Sequence, residues 1–470
     1  MAKTRTTAIC GRCGFRSTRW VGRCPSCEGW GTLEEVALAP VSATANGSVP
    51  PVPLAGVDLA GARKRSTGIG ELDRVLGGGL VRGGAYLIAG EPGIGKSTLL
   101  LQVARAAAAA GERVLLVCGE ETPEQVRARA ERLGGVPAEL WATRATDAAT
   151  VEAAIDSAAA GVVIVDSIQA IARADLPGLP GSVGQVRSSA DALARAAKDR
   201  GVTLLLVGQA TKDGQVAGPR ALEHLVDVVL WFEGDAEGSL RLLRATKNRF
   251  GPATEVGCFT MTAEGLREVS DPSRLLVAER AAAVPGVCVV PLLEGNRSML
   301  VEVQALVGPT SVPAPRRTGA GLDGQRLGLL VAVLERRAGV RLGAHDVFAA
   351  TMGGVRASEP AADLAIALAV ASSFLDAPLP AATVAVGEVG LSGEVRAAAD
   401  VARRLDEAAR LGFARAIVPA SENLPRAPAV PLLPVRDVSD ALGYLERNAH
   451  TGTRPHVARR AHAAREGSPS

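Results

Sequence analysis

Between residues 57 and 270, short apolar runs recur between longer stretches with helical patterning: AYLIAG, RVLLVC, VVIVD, TLLLVG, VVLWF and SLRLLRA. Uninterrupted apolar runs of this length, bounded by helices, predict strands buried on both faces. The segment is therefore expected to be an α/β domain around a mostly parallel sheet. A second α/β region is predicted over 271–450. The ends differ in character. Residues 1–36 are rich in Cys, Arg and Trp, and residues 37–56, ALAPVSATANGSVPPVPLAG, read as an extended linker with four prolines and no charge. Residues 451–470, TGTRPHVARRAHAAREGSPS, read as a polar, basic, disordered tail. No internal repeat is found.

Composition narrows the function classes. Aromatic residues are only 3% of 470 against 47% apolar overall, so the cores must be built from Ala, Val and Leu. Lys plus Arg number 52 and Asp plus Glu 49. That balance excludes a uniformly basic nucleic-acid coat but leaves room for a local basic channel. No apolar run reaches membrane-spanning length, and MAKTRTTAICGRCG has no apolar signal core, so a cytoplasmic protein without membrane contact is expected.

Four of the seven cysteines fall in CGRCGFRSTRWVGRCPSC, placing Cys10, Cys13, Cys24 and Cys27 as two CxxC pairs ten residues apart. Each pair can turn two sulfurs toward one ion, and four thiolates suit tetrahedral Zn²⁺ in a closed, structural site. The alternative is two redox pairs or free thiols. Arg12, Arg16, Arg19, Arg23, Trp20 and Trp30 suit nucleic-acid contact and equally suit a domain too small to bury them.

The segment GEPGIGKST comprises Gly90, Glu91, Pro92, Gly93, Ile94, Gly95, Lys96, Ser97 and Thr98. It fits GxxxxGK[ST], follows a predicted strand and opens a predicted helix, so a loop that cradles the phosphates of ATP is expected. Lys96 is assigned to the β- and γ-phosphates and Ser97 to Mg²⁺. Asp166, ending VVIVD, takes the place of the second Mg²⁺-linked acid. Glu120 and Glu121 end another strand. Glu120 is favoured for polarising the attacking water, the alternative being that both cap the helix starting near Thr122 and Pro123. Gln209, ending LLLVGQ, suits sensing of the γ-phosphate. Cys118, Cys258 and Cys288 sit in apolar runs and are expected in the core. His224 and His345 have no recognisable catalytic neighbours.

The four-Cys motif, TGIGELDRVLGGGLVRGG (67–84), GEPGIGKST, the GEE segment, AGPRALEHLVDVVLWFEGD (217–235) and KNRFG (247–251) together resemble the bacterial RadA (Sms) family of DNA repair proteins. The resemblance covers essentially the whole chain. It implies a RecA-like ATPase core, a homo-hexameric ring like those of DnaB-type helicases, and action on single-stranded and branched DNA beside the recombinase RecA. In such a ring each ATP site lies between subunits, and Lys247 and Arg249 would couple the γ-phosphate to the neighbour and to DNA. The loops 176–189 and 211–224 would supply Arg187, Lys212 and Arg220, with Lys247, for DNA contact. Neither loop has aromatic residues for stacking, so little base preference is expected.

Residues 353–374 and 387–405 resemble the Lon-type protease domain. Its serine–lysine dyad maps onto Ala361 and Ala402, which carry neither nucleophile nor base. A Lon-like fold without peptidase activity is expected, with Arg396, Arg403 and Arg404 as cations available for assembly or DNA, or equally as part of a solvated helix face. Three other readings stand beside the DNA motor: a Lon-like peptidase, a filament-forming recombinase and a zinc-binding regulator without motor activity.

Overall fold

The computed structural model describes residues 6–17, 20–37, 53–56, 58–209, 221–234, 240–277, 283–421 and 424–449. The chain divides into two compact units. One comprises Met1–Pro272 with Glu294–Arg297, and the other Ser273–Leu293 with Ser298–Ser470.

The first unit is built on a nine-stranded sheet. Its strands are β1 (Ala85–Gly90), β2 (Val114–Cys118), β3 (Leu140–Thr143), β4 (Val162–Asp166), β5 (Thr203–Gln209), β6 (Val228–Gly234), β7 (Arg241–Asn248), β8 (Val256–Thr262) and β9 (Gly265–Glu268). The order across the sheet is β9-β8-β7-β6-β1-β5-β4-β2-β3. Strands from β6 to β3 across the sheet run parallel, and β7, β8 and β9 continue as an antiparallel ribbon. All six predicted runs form strands here. β3 is an addition: its sequence LWAT is partly exposed at the sheet edge and lacks the continuous apolar signal.

Side-chain alternation makes two cores from one sheet. Tyr86, Ile88, Ile164 and Leu205 face one side, packed with α1 (Gly70–Leu76) and α2 (Lys96–Ala109) through Leu72, Val75, Leu99 and Val103. Leu87, Val163, Val165 and Leu206 face the other, packed with α4 (Ala148–Ala158) and α5 (Val183–Arg200) through Val151, Ile155, Val186 and Leu193. Burial on both faces explains why these strands read as apolar runs rather than as alternating patterns. Between β2 and β3, α3 (Pro123–Arg132) starts at Thr122, whose hydroxyl accepts from the Gln125 amide while Gln125 reaches back to the Thr122 amide. The helix is thus capped by Thr122, leaving Glu120 and Glu121 free of that task.

The second unit holds a seven-stranded mixed sheet. Its strands are β10 (Val287–Glu294), β11 (Arg297–Pro309), β12 (Arg317–Ala320), β13 (His345–Thr351), β14 (Thr383–Ala385), β15 (Arg415–Pro419) and β16 (Leu432–Val435), in the order β12-β13-β11-β10-β14-β15-β16. Its helices include α6 (Gly324–Ala338), α7 (Asp363–Leu375) and α8 (Val401–Arg410). Every residue of α7 from Asp363 to Ser372 is buried.

Ala361, at the turn into α7, is 5% exposed, and Ala402 lies exposed on α8. Arg404, expected as an available cation, is buried at 1% exposure. Its guanidinium pairs both nitrogens with Glu359 at 2.7 Å and donates to the carbonyls of Pro291 and Ala399. A guanidinium left without these partners could not be buried so completely, so its charge is spent inside the unit. Arg403 and Arg396 remain at the surface, the latter paired with Glu394.

Candidate nucleotide site and zinc module

The phosphate loop leaves β1 at its C-terminal end and enters α2 at its first turn. Gly90 and Gly95 are required by geometry. Each has φ in the positive region, and a Cβ on Gly90 would lie 2.2 Å from the Phe232 carbonyl oxygen. Gly93 also takes positive φ, and Glu91, Pro92 and Gly93 are exposed at the loop tip while Ile94 is buried beneath it. Lys96 is 6% exposed and donates to the carbonyls of Gly90 and Glu91, both at 2.8 Å. Burial draws the Lys96 pKa down, and Asp166 and Glu120 act against that.

Three strand ends bring the acids to this loop. Asp166 ends β4 and accepts from the Ser97 hydroxyl. Burial raises the Asp166 pKa, with Glu120 and Glu121 adding to the rise. Glu120, just beyond β2, accepts from Gln209 at the end of β5 at 3.0 Å and from the Ser167 hydroxyl. Glu121 instead pairs with Arg129 of α3. A cleft of about 160 Å³ opens here, with Ser97, Glu120, Glu121, Arg129 and Asp166 among its walls. Ser97 and Asp166 are the hard oxygen donors that suit Mg²⁺. Thr98 occupies the first turn of α2, half-buried. Sequence reasoning missed Ser167, although it directly follows VVIVD, and Arg129, which takes Glu121 out of contention.

Lys247, Asn248 and Arg249 are not brought to this cleft. β7 runs antiparallel to β6, so its C-terminal end lies at the opposite edge of the sheet from the phosphate loop. Six residues of strand separate Arg241 from Lys247, roughly 20 Å. There Lys247 Nζ donates to the carbonyls of Glu223 and Val226 at 2.6 and 2.8 Å. Burial draws its pKa down, and Arg249 adds to that. The Asn248 side chain donates to the Pro252 carbonyl at 3.2 Å and accepts from the Phe250 amide at 2.9 Å. Phe250 packs against Tyr86 with ring centroids 6.0 Å apart. Arg249, with its side chain 56% exposed, pairs with Asp227 at 3.2 Å. Asp227, absent from the sequence reasoning, also accepts from the Ala85 amide and lies 3.7 Å from Lys198 Nζ. Arg187 is exposed on α5. Lys212 and Arg220 lie outside the described residues.

In the N-terminal module, Thr6–Cys10, Arg16–Ser17 and Leu33–Ala37 form a small antiparallel sheet that holds the first cysteine knuckle. The Gly14 amide donates to the Cys10 carbonyl and the Glu28 amide to that of Cys24, closing both knuckles. All four sulfurs lie within 4.8 Å of one another, with Cys10–Cys27 at 3.6 Å and Cys13–Cys24 at 3.5 Å. Four thiolates at Zn–S bond length stand roughly 3.8 Å apart at the corners of a tetrahedron, so the donor set fits Zn²⁺. Cys118, Cys258 and Cys288 are buried elsewhere, as small core residues.

Comparison with known proteins gives matches for both features. Residues 65–145 match the KaiC ATPase family model, and residues 9–35 match a rubredoxin-type metal-binding domain. Over 96% of both chains, the sequence is 46% identical to the DNA repair protein RadA of Mycobacterium tuberculosis. It is 43% identical to that of Bacillus subtilis, covering 94% of this chain and 99% of the relative. Against the Brucella abortus protein of the same name the identity is 48%, over 84% and 88%.

Proposed function

Because the chain belongs to the RadA family of DNA repair proteins, with a RecA-like ATPase fold and an N-terminal zinc site, we propose that it is a ring-shaped, DNA-dependent ATPase that moves branched recombination intermediates along single-stranded DNA. The observation that carries the hydrolytic part is the meeting of Glu120 and Gln209 opposite Ser97 and Asp166. Lys96 exchanges the carbonyls of Gly90 and Glu91 for β- and γ-phosphate oxygens. Ser97 and Asp166 hold Mg²⁺, which when bound neutralises phosphate charge. Glu120 orients and deprotonates the attacking water. Gln209, bonded to Glu120, reports loss of the γ-phosphate to β5 and the residues that follow it.

Lys247 and Arg249 act on the neighbouring subunit's nucleotide. Their position at the sheet edge opposite their own phosphate loop supports this reading, since within one chain they are out of reach. A head-to-tail interface repeated around a closed six-membered ring meets that need. Arg187, Lys212 and Arg220 track phosphates in the channel, and a chain carrying them tolerates near-neutral overall charge. The Lon-like unit serves assembly or DNA contact and not proteolysis, because methyl groups stand at the dyad positions. RecA is the expected partner.

Mixing two inactive variants tests the assembly. Lys96→Ala and Arg249→Ala should each lose DNA-stimulated ATP hydrolysis. Equal mixing should restore about a quarter of wild-type activity, because some sites then pair an intact loop with an intact neighbour. An Arg249→Ala protein that hydrolyses ATP fully, or long helical filaments instead of closed rings in electron micrographs, would remove the ring reading.

A further inference from the structure

A second cation stands behind the phosphate loop. Arg241, the first residue of β7, lies opposite Gly234 of β6 and Phe259 of β8, and is 6% exposed. One of its terminal nitrogens donates to the carbonyl of Ile94 within the loop. A Cβ placed on Gly95 would come within 3.1 Å of the same nitrogen, so the guanidinium presses directly on the loop's backbone. Met261 and Leu266 meet the same point. Arg241 Nε is buried and has no hydrogen-bond partner among the described residues. Among the described residues, Glu233, beside Gly234 in β6, pairs with Arg244, and Glu268, opposite Phe259, accepts the Glu71 amide. Burial lowers the Arg241 pKa.

This is an unusual arrangement. Arginine is almost never fully buried without an anion, because desolvating the charge costs more than one carbonyl can return. Arg404 in the same chain shows the ordinary solution, with Glu359 beside it. Among the described residues Arg241 has no such carboxylate partner. The nearest place where an anion is expected is the other side of the loop, where the backbone N–H groups of Gly93, Gly95 and Lys96 would face phosphate.

Resting on the nucleotide reading given above, we infer that Arg241 is a positioning residue for the triphosphate. Through the Ile94 carbonyl it fixes the loop's curvature, and its charge lies unneutralised until the phosphate chain arrives. Its contribution therefore grows with the number of phosphate charges on the ligand. It does not touch the transferred group, so it acts on binding more than on the chemical step.

Three full-length variants test this: Arg241→Met, Arg241→Gln and Arg241→Lys. Equilibrium binding of ATP, ADP and AMP with Mg²⁺ is measured for each, beside thermal unfolding without nucleotide. Arg241→Met should weaken ATP about tenfold or more, ADP less and AMP least. Its unfolding temperature without nucleotide should hold or rise, because an unpaired buried charge has gone. KM for ATP should rise more than kcat falls, and Arg241→Lys should recover much of the graded affinity while Arg241→Gln should not. Equal weakening of all three nucleotides, or affinity lost in step with unfolding temperature, would overturn the inference and leave Arg241 a packing residue. Failure of the wild-type protein to bind ATP would instead overturn the nucleotide reading itself.

Discussion

Asp166 shows how a side chain proposed to hold Mg²⁺ can oppose the fold that holds it. Burial raises its pKa above the ordinary value of 3.8. Between the unfolded and folded pKa values the folded protein binds the extra proton, so stability falls as pH rises through that window. Above that window the protein without metal is therefore less stable than it would be with an unshifted carboxyl. Asp166→Asn should raise the unfolding temperature in chelator by roughly a few degrees, while ATP hydrolysis falls by about two orders of magnitude or more. Differential scanning fluorimetry and phosphate release check the two halves together, and opposite signs are the expected outcome. If Glu120 is the base proposed above, Glu120→Gln should separate binding from chemistry. It should keep ATP affinity within about threefold and lower turnover by roughly 10²–10⁴, read from equilibrium binding and kcat.

At the level of elements, α3 depends on a local device and α8 on a distant one. Thr122→Ala removes half of the capping box and should cost about 1 kcal/mol in urea unfolding. Arg404→Ala strips the buried partner from Glu359 and should cost roughly 3–5 kcal/mol, seen as early loss of the second unit's transition. These two cases mark what the sequence could disclose. Thr-Pro-Glu-Gln announces a helix start because the partners are three residues apart. The strands of the first unit were legible because burial on both faces writes an apolar run. Arg403 and Arg404 are indistinguishable in sequence, and only the pairing with Glu359, 45 positions earlier, decides which faces inward. The cysteine spacing and the phosphate loop were legible for a similar reason, since their partners are near in the chain. The partners of KNRFG, Asp227 and the Glu223 carbonyl, are invisible until β6 and β7 lie side by side.

The whole molecule combines parts whose stability has different sources. The N-terminal module has a core of only a few residues, Ala8, Cys10, Cys24 and Leu33 among them, so the metal must hold it together. Chelation should release one Zn²⁺ per chain and expose four reactive thiols, while the ATPase unit keeps its cooperative unfolding transition. Thiol titration and calorimetry before and after chelator would show this, and loss of both transitions together would mean that the module supports the ATPase unit. The pairing of Arg249 with Asp227 bears on assembly in another way. An arginine that already has a carboxylate cannot join a neighbour by simple addition; it must trade one anion for another. In the proposed ring, such an exchange would make subunit association less sensitive to salt than an interface formed between bare charges, and would let an anion across the interface compete for the arginine. With Asp227→Asn the competition weakens, and sedimentation should find assemblies forming at lower protein concentration. The resident carboxylate would then act as the threshold that a neighbour has to outbid.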